Sequence, residues 1–107
     1  MTTGIDPLSL LSGIERLGSD REGWTLDDIE GIDADRLFRS KVTFDRPFNA
    51  PPVVQIGIVG FDISEEDSAR LEASVENIST HGFELVLSTW LNTRLWRVNV
   101  SWLAIGR

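Results

Sequence analysis

The sequence predicts an all-β fold, a small antiparallel β-sandwich of about six strands in a single domain. Two observations carry this. From residue 50 onward apolar residues recur at every second position, the period of a strand with one buried face. Short clusters of turn residues separate these runs. The chain has 107 residues, room for one domain, and shows neither an internal repeat nor a linker.

The elements follow in chain order. Asp6-Pro7 can cap and start a short helix carrying Leu8, Leu10 and Leu11, with Gly13 ending it. Residues 1–13 are therefore expected as a short helical or extended N-terminal segment, and residues 14–107 as the sandwich domain. Ile14 to Leu17 reads as a first strand. Ser19 to Asp35, rich in Gly and Asp, reads as an extended loop. Leu37 to Phe44 is a second strand, closed by Arg46-Pro47-Phe48 and Pro51. Val53 to Phe61 is rich in β-branched residues and too broken by Gly57 and Gly60 for a helix. The acidic stretch Asp62 to Ala69 reads as a loop.

Arg70 to Ile78 then alternates, with Leu71, Ala73 and Val75 on its apolar side. Ser79 to Gly82 is a turn, and Phe83 to Trp90 is the returning strand. A second turn, Leu91 to Arg94, leads to Leu95–Ile105, whose apolar side would hold Trp96, Val98, Val100, Trp102 and Ala104. Folded as a meander, these three strands place Glu76 opposite Val86, Glu72 opposite Trp90, Ser88 opposite Arg97 and Trp90 opposite Leu95. That register gathers the apolar sets on one face, and a slip of one residue would scatter them. It also brings Arg70 and Trp90 to the same face at one end of the sheet. The polar face would then carry Glu72, Glu84, Ser88 and Arg97 around an exposed Val86, a mix suited to pairing about a threefold axis.

Charge and composition exclude several functions. Ten basic against seventeen acidic residues give a formal charge of −7, the wrong sign for nucleic acid or an anionic membrane. No apolar run approaches the length of a membrane span, and Met1 to Ser12 lacks the pattern of a signal peptide. A secreted, surface-exposed or particle-associated location stays open. Without cysteine there are no disulfides or thiolate metal sites, and one histidine, His81, is a poor basis for a triad or a zinc centre. The order Asp-Ile-Ser-Glu-Glu-Asp over residues 62–67 lacks the glycine and alternating ligands of a calcium loop. No metal or cofactor is expected.

A further set of residues resembles a family. Lys41 to Phe44, Pro47-Phe48, Pro51 to Val54, Phe61-Asp62, Arg70, Gly82-Phe83, Thr89 to Thr93 and Ser101 to Ile105, in this order and at these distances, resemble the H-type lectins, the snail-agglutinin type also found as the C-terminal domain of discoidin. The similarity runs from about Ile14 to Ile105. It implies a six-stranded antiparallel sandwich that assembles as a homotrimer, or a hexamer, and binds N-acetylgalactosamine or galactose at clefts between subunits. The family's glycine and aspartate before the second strand fall on Gly31 and Asp33. Its arginine after the acidic loop falls on Arg70, its tryptophan on Trp90, and its later aromatic on Trp96. The position after the tryptophan, often polar in relatives, is Leu91. The cysteines that link chains in some relatives are missing, so an oligomer would hold by packing alone.

These residue types suit the chemistry. Asp33 can accept from two adjacent sugar hydroxyls, Arg70 can donate to the axial oxygen of galactose, and the C–H face of a pyranose can lie on the Trp90 ring. The rival readings are a trimeric structural or attachment module of a larger particle, with a degenerate sugar site, and a hydrolase. For the hydrolase, Asp33 and Asp62 are candidates, yet nothing places two carboxyls across one glycosidic bond. The sequence is read as that of a glycan-binding protein and not of an enzyme.

Overall fold

The computed structural model describes residues 7–28 and 35–107, and within them every regular element is a strand. In order these are β1 (Ser9–Gly18), β2 (Arg36–Thr43), β3 (Val53–Ser64), β4 (Glu72–Glu76), β5 (Gly82–Thr89) and β6 (Arg94–Gly106). They form two antiparallel three-stranded sheets, ordered β1-β6-β3 and β2-β5-β4. The sheets close on a core of Leu17, Leu26, Val42, Phe44, Phe48, Phe83, Leu85, Leu87, Leu95, Val98, Val100, Trp102 and Ala104. The expected sandwich of six antiparallel strands is present.

Of the two readings of the N-terminal segment, the extended one holds from Ser9 onward and the helix does not, while residues 1–6, Asp6 among them, lie outside the described residues. Ser9 to Gly13 belong to β1, which pairs residue for residue with β6 from Ser9↔Gly106 to Gly18↔Arg97. Leu8, Leu10 and Leu11 fit a helical spacing, but the open edge of β6 supplies a ladder of backbone partners that a helix could not use. Leu10 then points outward and Leu11 packs against the core.

The meander of β4, β5 and β6 is corrected in part. β4 and β5 do pair, but with Glu72↔Ser88 and Glu76↔Glu84, a hinge centred on Thr80 instead of His81. The offset is two residues across the pair, so every side chain keeps its expected face. β5 and β6 do not pair at all. Each is the central strand of its own sheet, and residues 90–93 carry the chain across the sandwich. The physical reason is burial. β5 and β6 hold the most completely buried apolar residues of the chain, and central positions facing each other across the core cover both better than adjacent positions in one sheet. Asp62 to Ser64, expected in a loop, extend β3 along β6.

Two irregularities mark the β3–β6 ladder. Val59 is an extra residue in β3, and Trp96 is an extra residue in β6, between Arg97, opposite Asp62, and Leu95, opposite Ile63. A single inserted residue reverses the inside–outside phase. Leu95 and Val98 both face the core, while Trp96 and Arg97 face out. Trp96 is thus excluded from the buried side on which alternation had placed it. The bulge also frees backbone groups, and residues 19–28 take them up. Ser19 N–H donates to Trp96 O at 3.0 Å, Leu95 N–H to Leu26 O at 2.8 Å, and Trp24 Nε1 to Leu95 O at 2.9 Å.

The expected pairing face is also revised. Arg97 belongs to the other sheet, and Val86 is only 5% exposed. Arg39 on β2 reaches across β5 to Glu76 and Glu84 and roofs Val86. The carboxylates, Glu76 first, hold the Arg39 guanidinium above its ordinary pKa. Solvent screens such exposed pairs, so they add little to stability.

At one end of the sandwich Phe44, Phe48, Phe83 and Trp102 pack with ring centroids 5.2–5.9 Å apart. Gly82 makes this possible. A Cβ at that position would lie 2.1 Å from Val42 O, so only glycine lets β5 approach β2 there. Gly82→Ala is expected to lower stability by about 1–3 kcal/mol or more, the cost of overpacking against backbone that cannot yield. Chemical denaturation monitored by circular dichroism checks this; an unchanged midpoint would refute it.

Candidate functional site

The crossover Trp90–Thr93 is the structural centre of the candidate site. Its backbone turns at Leu91, whose φ of 56° lies in the left-handed region, a conformation that costs a branched residue of order 1–2 kcal/mol. Two arginines hold it in place. Arg36, the first residue of β2, is buried and in phase with the inward Phe38 and Val42. Its Nη2 donates to Leu91 O at 2.7 Å, and its Nη1 donates to Leu26 O at 3.3 Å and to Asp28 O. One guanidinium thereby ties β2, the 21–28 loop and the crossover together. Burial pulls the Arg36 pKa below its ordinary value, Asp28 opposes that, and Arg94 adds to it.

Arg70 binds the crossover from the other side. Its Nη1 donates to Asn92 Oδ1 at 2.9 Å, Ser68 O at 3.2 Å and Thr93 Oγ1 at 3.3 Å, and its Nη2 lies 3.3 Å from Asp67 Oδ1. Its backbone is held too: Arg70 N–H donates to Thr93 Oγ1, and Arg70 O accepts from the Thr89 hydroxyl. The side chain is 14% exposed, so Arg70 is an oriented guanidinium, not a solvated edge charge. Among the described residues its Nε makes no hydrogen bond, and with five N–H donors to place the group keeps capacity toward a ligand. The Ser68 N–H, with help from Arg70, holds the Asp67 carboxyl below the ordinary carboxylate range. This contact is fully present above the ordinary value and is lost only as pH falls through the depressed one.

Trp90 follows β5 and is half-buried. With Asp35, Leu37, Glu72 and Ser88 it lines a groove of about 360 Å³ on the outer face of the β2-β5-β4 sheet. Arg70 O takes the Thr89 hydroxyl one residue from Trp90, so the two residues share one end of this sheet, as expected, but the Arg70 side chain turns to the crossover and does not line the Trp90 groove. Trp96, 37% exposed, instead lines a groove on the outer face of the other sheet, with Arg16, Leu17, Gly18, Ser19, Asp20 and Arg97. The two grooves have no lining residue in common. Leu91 is exposed at the crossover, its carbonyl turned to Arg36. Gly31 and Asp33 lie outside the described residues; Asp35, two positions later, lines the Trp90 groove.

Sequence reasoning missed Arg36, Thr93 and Glu72. The first had a readable signal: an arginine in the inward phase of β2 must find partners for its buried charge. Thr93, fully buried, had none, because its hydroxyl matters only once Ser68 and Arg70 fold back against it.

Comparison with known proteins decides the family. Residues 39–105 match the family described as the H-type lectin domain. The chain belongs to this family of carbohydrate-binding lectins. The matched segment contains Arg70, Trp90, Leu91 and Trp96, and starts after Gly31 and Asp33. The H-type lectin chain is 41% identical over 71 residues to the protein named ATP synthase subunits region ORF 7 of Fuscovulum blasticum, covering 66% of this chain and 62% of that protein. It also superposes on two structures of discoidin II of Dictyostelium discoideum, recombinant and wild-type, each with a TM-score of 0.81 and 24% identity. They cover 99% of this chain and 40% and 39% of theirs. The chain thus spans less than two thirds of the length of each of these proteins. The likeness to discoidin II is one of fold.

Thr93→Val is expected to destabilise this lectin domain by about 1–3 kcal/mol, because it keeps the shape but leaves the Arg70 N–H without its acceptor and the Ser68 carbonyl with Arg70 Nη1 alone. Thermal and urea unfolding measure it. A stability within a few tenths of a kcal/mol of the parent would mean that the hydroxyl does not staple the crossover.

Proposed function

We propose that the domain binds galactose and N-acetylgalactosamine-type sugars at clefts between subunits of a homotrimer, and that it is not an enzyme. The observation that carries this reading is the oriented, largely buried Arg70 at the same end of the β2-β5-β4 sheet as the half-buried Trp90. A guanidinium already fixed by four contacts loses little side-chain entropy on meeting a sugar oxygen, and the indole offers an apolar face to the pyranose ring. Glu72, Ser88 and Asp35 add hydrogen-bond acceptors and a hydroxyl to the same groove. Gly31 and Asp33 belong to the proposed site by family resemblance alone.

The cleft between subunits draws support from the two tryptophans. Trp90 and Trp96 line grooves on opposite outer faces, so a single sugar can meet both only if they come from different chains. The exposed Leu10 and Val53 flank Ile105 across the β1-β6-β3 face, which supports association by apolar packing. Leu91 stands where a polar side chain would add a contact, so affinity per site is low and clustered presentation raises it through effective concentration.

Calorimetry with N-acetylgalactosamine and galactosides tests the site. Arg70→Ala is expected to reduce affinity about tenfold or more, the worth of a charged donor of roughly 1.5–3 kcal/mol. Asp33→Ala should abolish binding with the assembly intact. Trp90→Ala should weaken it, with circular dichroism to check the fold. Variants that bind as the parent does would refute the site, and a parent that binds no glycan would leave the attachment-module reading in its place.

Light scattering is expected to report three chains per particle at micromolar concentration. A monomer would refute both the trimer and the shared cleft.

A further inference from the structure

The bulge at Trp96 creates a second groove, of which the galactoside reading uses Trp96 alone. An indole 37% exposed on a sheet face is an unusual outcome in a strand whose neighbours Leu95 and Val98 are fully buried, and it arises because one extra residue turns Trp96 outward. Bulges of this kind re-aim a side chain toward a site. Two guanidiniums flank the ring. Arg97 faces out beside it and pairs in register with Gly18, while Arg16 lies two residues along β1 on the same outer face. Gly18 has no side chain to fill the space between them, and the groove holds about 300 Å³.

The charges of this groove are unspent. Arg39 and Arg70 form ion pairs, but among the described residues Arg16 and Arg97 form none. Two carboxylates stand close: Asp20 lines the groove, and Asp62 is the register partner of Arg97 on β3. Neither is bonded to either arginine. The constellation is an aromatic plate, two fork-shaped cation donors and a carboxylate acceptor. The plate suits the C–H face of a pyranose, the forks suit a planar or tetrahedral anion, and Asp20 suits a hydroxyl. In a chain of net charge −7 an anion gains nothing from the overall field, so attraction must come from these local groups.

We propose that this groove binds an acidic sugar, a pyranose bearing a carboxylate or a sulfate, stacked on Trp96 with its anion between Arg16 and Arg97. The site stands apart from the galactoside reading, with Trp96 their one shared residue.

The test is calorimetric titration of the full chain with three tetrasaccharides that lack galactose and galactosamine. These are chitotetraose, which is neutral, a heparosan fragment, which carries carboxylates alone, and a heparin fragment, which carries carboxylates and sulfates. At least one acidic fragment is expected to bind ten times or more tightly than the neutral one and to lose tenfold or more in half-molar salt. Binding of heparosan assigns the carboxylate; binding of heparin alone assigns the sulfate. The double variant Arg16→Gln, Arg97→Gln should lose this binding and keep both its circular dichroism spectrum and its galactoside affinity. If neither acidic fragment outbinds chitotetraose, or the double variant binds them as the parent does, the proposal is overturned. Loss of galactoside binding in Arg70→Ala with the acidic fragment still bound separates the two sites, so each reading can fail alone.

Discussion

The crossover at residues 90–93 is the constraint on which the rest depends. Four residues must take the chain from the centre of one sheet to the centre of the other, and Leu91 adopts a left-handed conformation to do it. Strain of this kind persists only where surrounding bonds over-determine it. Arg36 supplies them from beneath through the Leu91 carbonyl, and Arg70 from outside through Asn92 and Thr93. Because both central strands hang from this turn, their register with the outer strands, and with it the core, follows from how it is held.

The two ends of the sandwich are stabilised by different physics. The end near Gly82 is closed by aromatic rings packed edge-to-face or tilted and by backbone bonds from Phe44 and Phe48 to the β4–β5 turn. The residues buried there are apolar. The crossover end is closed by guanidiniums, hydroxyls and carbonyls. Buried charge is costly unless it is paired and hydrogen-bonded, and here the Nη groups of Arg36 and Arg70 bond carbonyls from three loops while Arg36 Nε stays without a partner. An end built this way presents oriented polar groups at the surface.

The bulge at Trp96 acts on the opposite sheet. By reversing the phase of β6 it leaves Leu95 to seal the core and sends the indole out, while the 19–28 loop takes over the backbone groups left without strand partners. Trp90 and Trp96 therefore stand on opposite faces of one H-type lectin domain.

The sequence by itself determined the β class, β2, β5 and β6 to within one residue at each end, β3 and β4 with ends two or three residues off, the inside–outside phase of β4 and β5, and the shared sheet end of Arg70 and Trp90. These are legible because alternation and turn chemistry act between residues close in the chain. The family was legible in the ordered set from Lys41 to Ile105. Tertiary structure alone decided three matters. Ser9 to Gly13 became a strand because β6 offered an edge, not because their own spacing demanded it. β5 and β6 separated into different sheets because central positions bury both. Trp96 left the core because of a one-residue insertion that shows itself only against the register of β3. Each turns on partners far away in sequence, where pairing and burial outweigh local propensity, and so no local pattern could have carried it.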